Sequence, residues 1–419
     1  MISNEYHDLL PDPNGPRFQH ARSLSYRDFG QAVLGNPLIA GVVASWEERY
    51  AEPFHGLTCD GNCQHGHFRL RHEAAPTRQA VSSARHLLAS LDDITRQKLR
   101  YSIEAREWRA WSNPEFLIHD HGLRLEELPD ALRSLVLDVM LASMGPRGFD
   151  KARGCMYTNA FLGELLQVQN IMNEWSYNFL LFGEPSNTEP WGWSLYGHHL
   201  CLNVFFLGDQ MVASPIFMGA EPNIIDKGPQ AGTVLFEAQE EVGLKLMRSL
   251  DGSQRTQALL FARMKDPDMA PDRYHPGDGL HLGGAFQDNR IVPFEGVCVA
   301  TMNSAQKDMI LQLSEAFHEV LPDGPRNAKV ADIEQHLDET YWCWIGGSGD
   351  DDPFYYRIHS PVTMLEFDHH PGVWLTNTEP AKCHIHTVIR TPNGNDYGRD
   401  ILRQHYQQVH PGQLPGQLR

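Results

Sequence analysis

Residues 191–203 have the sequence WGWSLYGHHLCLN, which indicates the fold class and contains the first candidate site. Aromatic and aliphatic side chains alternate with small or polar ones, and this period of two is typical of a β-strand. A second strand-like stretch, CHIHTVIR at residues 383–390, also contains two histidines. We expect the two strands to lie close together and to share one metal ion.

The spacing of His384 and His386 favours a pair of metal ligands. Residues i and i+2 of a strand project from the same face, so both imidazoles point to one side of the sheet. Cys383, Ile385 and Thr387 point to the other side. The same spacing also arises by chance, so the pair needs further ligands.

The adjacent residues His198 and His199 point to opposite faces if their strand is regular. His198 then shares a face with aliphatic side chains, whereas His199 shares a face with small and polar ones. His199 is therefore the better ligand by pattern, and His198 the better core or ligand-orienting residue. A β-bulge at Gly197 would change this assignment, and two buried, hydrogen-bonded histidines are the alternative.

Glu366 ends an apolar run, MLEF at residues 364–367, and is either an exposed strand end or a fourth ligand. Imidazoles with one carboxylate suit zinc, iron(II), copper or manganese. Few carboxylates accompany the histidines, so a two-metal hydrolase centre is less favoured. The sequence predicts one divalent metal ion, iron, copper or zinc, in a mononuclear site.

Two arginines and three aromatic residues are candidates for substrate binding. The planar guanidinium of Arg357 or Arg390 suits a substrate carboxylate, although an ion pair within the protein is the favoured alternative for each. Three aromatic side chains form the wall of an apolar pocket or, equally, pack in the core: Trp191, Trp193 and Tyr196.

Two residues near the C-terminus complete the candidate set. Asp396 precedes a helix predicted over about residues 398–410, so it caps that helix or orients a ligating histidine. His405 lies on the same helix and is an acid–base candidate.

The length and charge of the chain limit its function classes. The 419 residues are enough for one or two domains, and a net charge of −18 repels nucleic-acid phosphates and anionic membranes. No signal peptide or membrane-spanning run is visible, and the seven scattered cysteines do not suggest a disulfide framework. We expect a soluble cytoplasmic protein with a small-molecule substrate, and its oligomeric state is open.

The order of helix-like and strand-like segments predicts an α+β fold. Residues 1–50 are mixed in pattern, with an irregular start at the prolines and glycine of 11–16, and helical periodicity begins at Thr77. The strands at 191–217 and 340–391 are too short to be stable alone, so we expect them to join one antiparallel or mixed sheet flanked by helices. We predict one domain over residues 1–419, with a helical part to about residue 175 packed on a sheet-bearing part at about 176–410.

The segment 54–70 resembles a short hairpin that turns at Asp60-Gly61. Its spacing of cysteines is not that of a usual zinc knuckle, so a polar turn is favoured over a structural zinc site. The residues concerned are Cys59, Cys63, His65 and His67.

Several short motifs occur in order along the chain: TCDG at 58–61, EWRAWSN at 107–113, FGEPS at 182–186, WGW and GHHL within 191–200, YYRIHSP at 355–361, EFD at 366–368, HIH at 384–386 and NDYG at 395–398. Together they resemble a bacterial and fungal family catalogued as domain of unknown function 3500. The resemblance covers roughly residues 50–410 and implies one domain, but it implies no activity. The cysteines and histidines at 59–67 depart from the family pattern.

The leading hypothesis is a mononuclear metal-dependent enzyme, in particular an iron- or copper-dependent oxidoreductase with a small organic substrate oriented by Arg357. The alternative is a zinc-dependent hydrolase or lyase, in which the metal lowers the pKa of bound water to about 7 and Glu366 or His405 acts as base. A non-enzymatic binding protein, with a structural metal or none, is the second alternative. The sequence contains no GxGxxG, P-loop, HExxH or GxSxG motif.

Overall fold

A mixed β-sheet runs through the protein, for which the computed structural model describes residues 5–409. Its strands are β1 Arg100–Tyr101, β2 Leu123–Arg124, β3 Tyr177–Gly183, β4 Trp191–Gly197, β5 Leu200–Leu207, β6 Gln210–Ala220, β7 Leu259–Phe261, β8 Val297–Cys298, β9 Tyr341–Gly346, β10 Phe354–His359, β11 Met364–Pro371 and β12 Pro380–Arg390. Their spatial order is β1-β3-β4-β5-β6-β12-β11-β10-β9-β7, with β2 beside β3 and β8 beside β9.

Helices lie before, between and after these strands. They are α1 Pro16–Arg22, α2 Tyr26–Leu34, α3 Pro37–Ala51, α4 Thr77–Ala89, α5 Asp93–Leu99, α6 Asp130–Leu166, α7 Glu237–Ser249, α8 Gly252–Ala258, α9 Ser304–Phe317, α10 Asp323–Gln335 and α11 Arg399–Val409. Together with the sheet they confirm the predicted α+β class. No helix among residues 5–409 is both long and apolar enough to cross a bilayer.

The centre of the sheet joins segments that are far apart in sequence. β6 pairs antiparallel with β12, and β12 pairs antiparallel with β11. This register sets His386 between Gly219 on one side and Asp368 on the other. The predicted joining of the central and C-terminal strands is therefore confirmed, whereas the single domain over residues 1–419 stays a prediction.

Both faces of the sheet are buried, by different helices. On one face, apolar side chains of α4, α6, α7 and α9 pack against Trp193, Ile385 and Phe367. On the other face, α3 and α11 pack near Tyr196, Phe217 and Val388. Burial of each large apolar side chain contributes about 1.5–3 kcal/mol. A slip of one residue would reverse every side chain of β12, so this packing fixes the face on which its histidines lie.

The helices α1, α2 and α3 occupy most of residues 16–51, where the sequence pattern is mixed. Two predictions about local structure are wrong. The segment 54–70 forms no hairpin within the described chain, and only an isolated bridge joins Thr58 to Ile291. The stretch 191–203 is two strands rather than one, because His198 and His199 form a turn between β4 and β5.

The C-terminal helix is close to the predicted one. α11 covers Arg399–Val409, and His410, its predicted end, lies outside the described residues. Asp396 does not cap this helix. Its carboxylate accepts hydrogen bonds from the Thr391 amide at 2.7 Å and the Ser214 hydroxyl at 2.5 Å, and it pairs with the Arg390 guanidinium at 2.8 Å.

Candidate metal centre

Three histidine side chains converge in the middle of the sheet. The Nε2 atom of His384 lies 3.2 Å from Nε2 of His199 and 2.9 Å from Nε2 of His386. Metal–nitrogen bonds of about 2.0–2.1 Å in a tetrahedral site place two ligand nitrogens about 3.3 Å apart. All three histidines are buried, and their arrangement could hold one metal ion.

The strand β12 and the β4–β5 turn present these histidines. His384 and His386 project from the same face of β12, as their spacing predicts. His199 has a left-handed backbone with φ of 60°, which turns its ring towards β12. Its amide donates to Asn113 Oδ1 at 3.1 Å, and its carbonyl accepts from the Gly219 amide at 2.8 Å. Hydrogen bonds on both sides thus hold a conformation that costs a non-glycine residue energy.

His198 has a different environment from His199. Its Nδ1 atom lies 2.8 Å from Asn159 Oδ1, and its ring stacks on that of His199 with centroids 3.9 Å apart. It belongs to neither ligand cluster among the described residues. The structure therefore brings His199, and not His198, into the cluster with His384 and His386.

The protonation of the cluster suits metal binding. Burial lowers the pKa of His384 to about 4 and the pKa values of His199 and His386 well below the ordinary value. Neutral imidazole is the ligating form. His384 Nδ1 lies 2.9 Å from the Pro371 carbonyl, which can only accept, so the proton of His384 is on Nδ1 and its Nε2 lone pair faces the cluster.

A second cluster of potential ligands adjoins the first and shares His386. It consists of His281, Asp368 and His386. His281 Nε2 lies 3.0 Å from Asp368 Oδ1, and His281 Nδ1 lies 3.8 Å from Glu366 Oε2. Burial lowers the pKa of His281, but the carboxylates of Asp368 and Glu366 raise it to about 10 overall. Asp368 therefore supplies the carboxylate of this second cluster, which His386 joins to the first.

Glu366 is buried at the sheet centre rather than exposed at a strand end. Its Oε1 atom accepts from the Leu282 amide at 2.8 Å and the Tyr355 hydroxyl at 2.7 Å, and Oε2 accepts from the Gly283 amide at 2.8 Å. Burial raises its pKa, but His281, Arg357 and the backbone donors hold it well below the usual range. Glu366 belongs to neither ligand cluster and instead fixes the loop at 282–283.

A cavity of about 520 Å³ opens beside the histidines. Its floor includes His198, His199, His370 and His386, and its walls come largely from α2, α3 and the segment 113–116. The ring of His370 lies 4.3 Å from that of His386, and its Nε2 atom has no hydrogen-bond partner among residues 5–409. The cluster therefore has an approach from the cavity.

The two predicted wall tryptophans lie on the other face of the sheet. Trp191 and Trp193 belong to the core packed under α6, and the Trp193 indole donates to Ser143 Oγ at 2.9 Å. Tyr196 lies on the histidine face, but its hydroxyl donates to the His119 carbonyl at 2.9 Å. None of the three lines the cavity.

The predicted arginines and His405 have partners away from the cavity. Arg357 pairs with Glu295 at 2.7 Å, and Arg390 pairs with Asp288 at 2.7 Å as well as with Asp396. His405, on α11, has its Nε2 atom 3.7 Å from the Glu189 carboxylate. Both arginines therefore form ion pairs within the protein, which is the alternative favoured from the sequence.

The cysteines and histidines of the 54–70 segment form no ligand cluster within the described chain. His65 contacts Asp400 at 3.1 Å, and His67 lies 3.4 Å from Gln64 Oε1. These contacts fit the polar-turn interpretation.

Four residues of the site were not predicted: His281, Asp368, His370 and Asn113. Asp368 and His370 follow Glu366 at intervals of two, so strand periodicity could have found them. His281 lies in an irregular loop where no periodic pattern indicates direction.

The fold and the site define an α+β protein with a buried histidine cluster beside a cavity. The chain belongs to the family described as "Protein of unknown function (DUF3500)", whose model matches residues 73–399. This match confirms the resemblance found in the sequence motifs. No curated protein and no solved structure matches the chain. Because the family description gives no activity, only the chemistry of the site bears on function.

Proposed function

We propose that this protein is a mononuclear metal-dependent enzyme that acts on a small organic substrate. The observation that carries the proposal is the convergence of three buried imidazoles beside a cavity of about 520 Å³, with His384 Nε2 lying 3.2 Å from His199 Nε2 and 2.9 Å from His386 Nε2. His199, His384 and His386 would hold the metal. A coordination position that no protein atom fills would face the substrate.

The leading version is an iron- or copper-dependent oxidoreductase. Imidazole ligands suit both metals, and the bound metal would supply redox chemistry at its open position. The chain would supply the substrate pocket and a dry environment, because the three ligands are at most 2% exposed. Neither Arg357 nor Arg390 is available to orient a substrate while both keep their carboxylate partners.

A zinc-dependent hydrolase or lyase is the second candidate. Its supporting observation is that the first cluster consists of neutral imidazoles alone, which is a ligand set of catalytic zinc sites. Zinc would lower the pKa of bound water to about 7. The non-enzymatic alternative, a closed structural site, is disfavoured because a cavity adjoins the cluster.

Metal analysis of the purified protein, prepared without a histidine tag, tests the proposal. We expect about one equivalent of iron, copper or zinc by plasma mass spectrometry, and we expect His384→Ala and His386→Ala each to lose it. His405→Ala is the matched control, since His405 lies outside both clusters, and it should keep the metal. An absence of metal in the wild type after reconstitution with all three ions would overturn the proposal.

Oxygen dependence then separates the two enzyme classes. Turnover that stops without oxygen supports the oxidoreductase. Activity that is retained with zinc in the absence of air supports the hydrolase or lyase and rejects the oxidative version.

A further inference from the structure

An apolar stripe of α3 lines the cavity, and part of it also packs against the core beneath. Ile39, Val42, Val43 and Trp46 follow the spacing i, i+3, i+4, i+7 and all line the cavity. Such a stripe normally packs against other apolar side chains. Here Ile39, Val42 and Val43 are only half-buried, so apolar surface remains for an occupant to cover.

The other walls of the cavity are also largely apolar. Phe29 and Val33, four residues apart on α2, and Phe116 line it as well. Two charged residues, Arg17 and Glu115, also line the cavity. The Arg17 guanidinium donates to the Val373 carbonyl at 2.9 Å and lies 4.6 Å from the centre of the Trp374 ring, and burial raises the pKa of the Glu115 carboxyl, which favours its neutral form. The walls therefore favour an apolar body, and their aromatic side chains suit a ring.

The floor differs from the walls in chemistry. His199 and His386 reach the cavity from the metal cluster, so one end of an occupant lies against the metal-binding nitrogens. On the α3 wall, Trp46 carries an Nε1–H that has no hydrogen-bond partner among the described residues although the side chain is buried. A buried donor of this kind normally has an acceptor.

The floor and the wall come from different parts of the chain. All three histidines of the first cluster lie within residues 73–399, which the family model matches. The helices α2 and α3 lie at residues 26–51, before that region. The part of the wall formed by α2 and α3 therefore lies outside the matched family region, whereas Phe116 lies within it.

We propose that α2 and α3 form the substrate-selecting wall of the metal centre, and that the substrate is a small apolar ring compound with one metal-binding nitrogen or oxygen. The part of the inference that gives the substrate a metal-binding atom rests on the proposed function. The part that gives it an apolar ring rests on the wall alone, so either part can fail without the other.

Paired probes on the cobalt(II)-loaded protein test the inference. Imidazole and 4-phenylimidazole share a metal-binding head, and only the second carries an apolar ring. We expect 4-phenylimidazole to bind at least about 20-fold more tightly, measured by the visible spectrum of cobalt, because the phenyl ring is removed from water. Ile39→Asn should reduce this ratio at least about five-fold without changing the cobalt content.

The matched control is Ile94→Asn, which makes the same change at an isoleucine of α5 that is 83% exposed. It should leave the ratio as in the wild type. Equal binding of the two probes in the wild type, or an equal effect of both substitutions, would overturn the inference.

A second titration needs no metal. Indole should bind to the metal-free protein in isothermal titration calorimetry, and Ile39→Asn should weaken that binding at least about five-fold. If the protein binds neither cobalt nor any of iron, copper and zinc, the proposed function fails, and the indole titration still tests whether the wall binds an apolar ring. If indole does not bind and the cobalt protein does not discriminate between the probes, the wall is not a substrate-binding surface.

Discussion

Gly219 allows two of the candidate ligand rings to approach each other. A Cβ atom at this position would lie 2.8 Å from Cδ2 of His386 and 3.0 Å from Cδ2 of His199. We expect Gly219→Ala to displace both rings, weaken metal binding at least about 10-fold and destabilise the fold by about 1–3 kcal/mol. Metal titration and urea unfolding measure the two effects.

The control for Gly219→Ala is Gly41→Ala, where a Cβ atom would have no neighbour within 4 Å. Gly41 is exposed on α3, and alanine favours a helix. We expect unchanged metal affinity and unchanged or slightly higher stability. Wild-type metal affinity in Gly219→Ala would contradict the role assigned to the glycine.

His318 links stability to pH at a place away from the metal centre. Its Nδ1–H donates to the Ser314 carbonyl at 2.8 Å, and burial, together with the charge of Lys329, lowers its pKa to about 3. Below about pH 6.5 the unfolded state binds a proton that the folded state does not, so stability falls as pH falls towards 3. This group contributes about 1.4 kcal/mol per pH unit to that fall.

The variant His318→Gln removes the titrating group from both states. We expect its unfolding free energy to depend less steeply on pH between 6 and 4 than that of the wild type, as measured by urea unfolding at several pH values. Parallel curves for the two proteins would show that His318 does not contribute to acid unfolding.

The sequence predicted the direction of some ligand residues better than others. His384 and His386 lie in β12, where a period of two predicts one face, and the structure has both on one side although the β11–β12 register shifts next to His384. His199 was predicted from the same rule but lies in a turn, because its left-handed φ breaks the alternation. Histidine is enriched in that conformation, yet the preference is too weak to predict a turn from one sequence.

At the level of whole elements, the helices α2 and α3 of the cavity wall were also difficult to predict from the sequence. Signals for α2 and α3 are present, since Ser25 accepts a capping hydrogen bond from Asp28, and Asn36 caps α3 ahead of Pro37. Glycine and proline in the surrounding sequence obscure the apolar stripe of α3. The predicted helices after Thr77 were clearer, because α4 buries one continuous face.

The long helix α6 contains a break that depends on one residue. Gly145 has φ of 72° inside the helix and precedes Pro146. A Cβ atom there would meet only Pro322 at 3.9 Å, so backbone strain is the main cost of a side chain. We expect Gly145→Ala to destabilise the fold by about 1–2 kcal/mol. Gly252→Ala in α8, which has open space and no such φ, should not.

Urea unfolding of the two variants compares these glycines directly. Equal stability of Gly145→Ala and the wild type would mean that the break in α6 tolerates a side chain and does not require glycine.

At the scale of the whole molecule, the candidate ligands connect segments that are distant in sequence. His199 lies in the turn between β4 and β5, and His384 and His386 lie in β12, which pairs with β6. Sequence patterns predicted that these strands meet, because each needs neighbours to bury its apolar residues. They could not predict the contribution of His281, which depends on where an irregular loop packs.

A metal bound by all three histidines should therefore stabilise the whole fold. We expect Zn²⁺ at 100 times its Kd to raise the unfolding free energy by about 2.7 kcal/mol, because it binds the assembled site more tightly than the unfolded chain. His199→Ala removes the ligand contributed by the turn, so the same Zn²⁺ concentration should stabilise that variant much less. His405→Ala, outside both clusters, should respond as the wild type does. Thermal unfolding of the three proteins with and without Zn²⁺ measures this stabilisation. An equal response of His199→Ala and the wild type would exclude the turn as part of the metal centre.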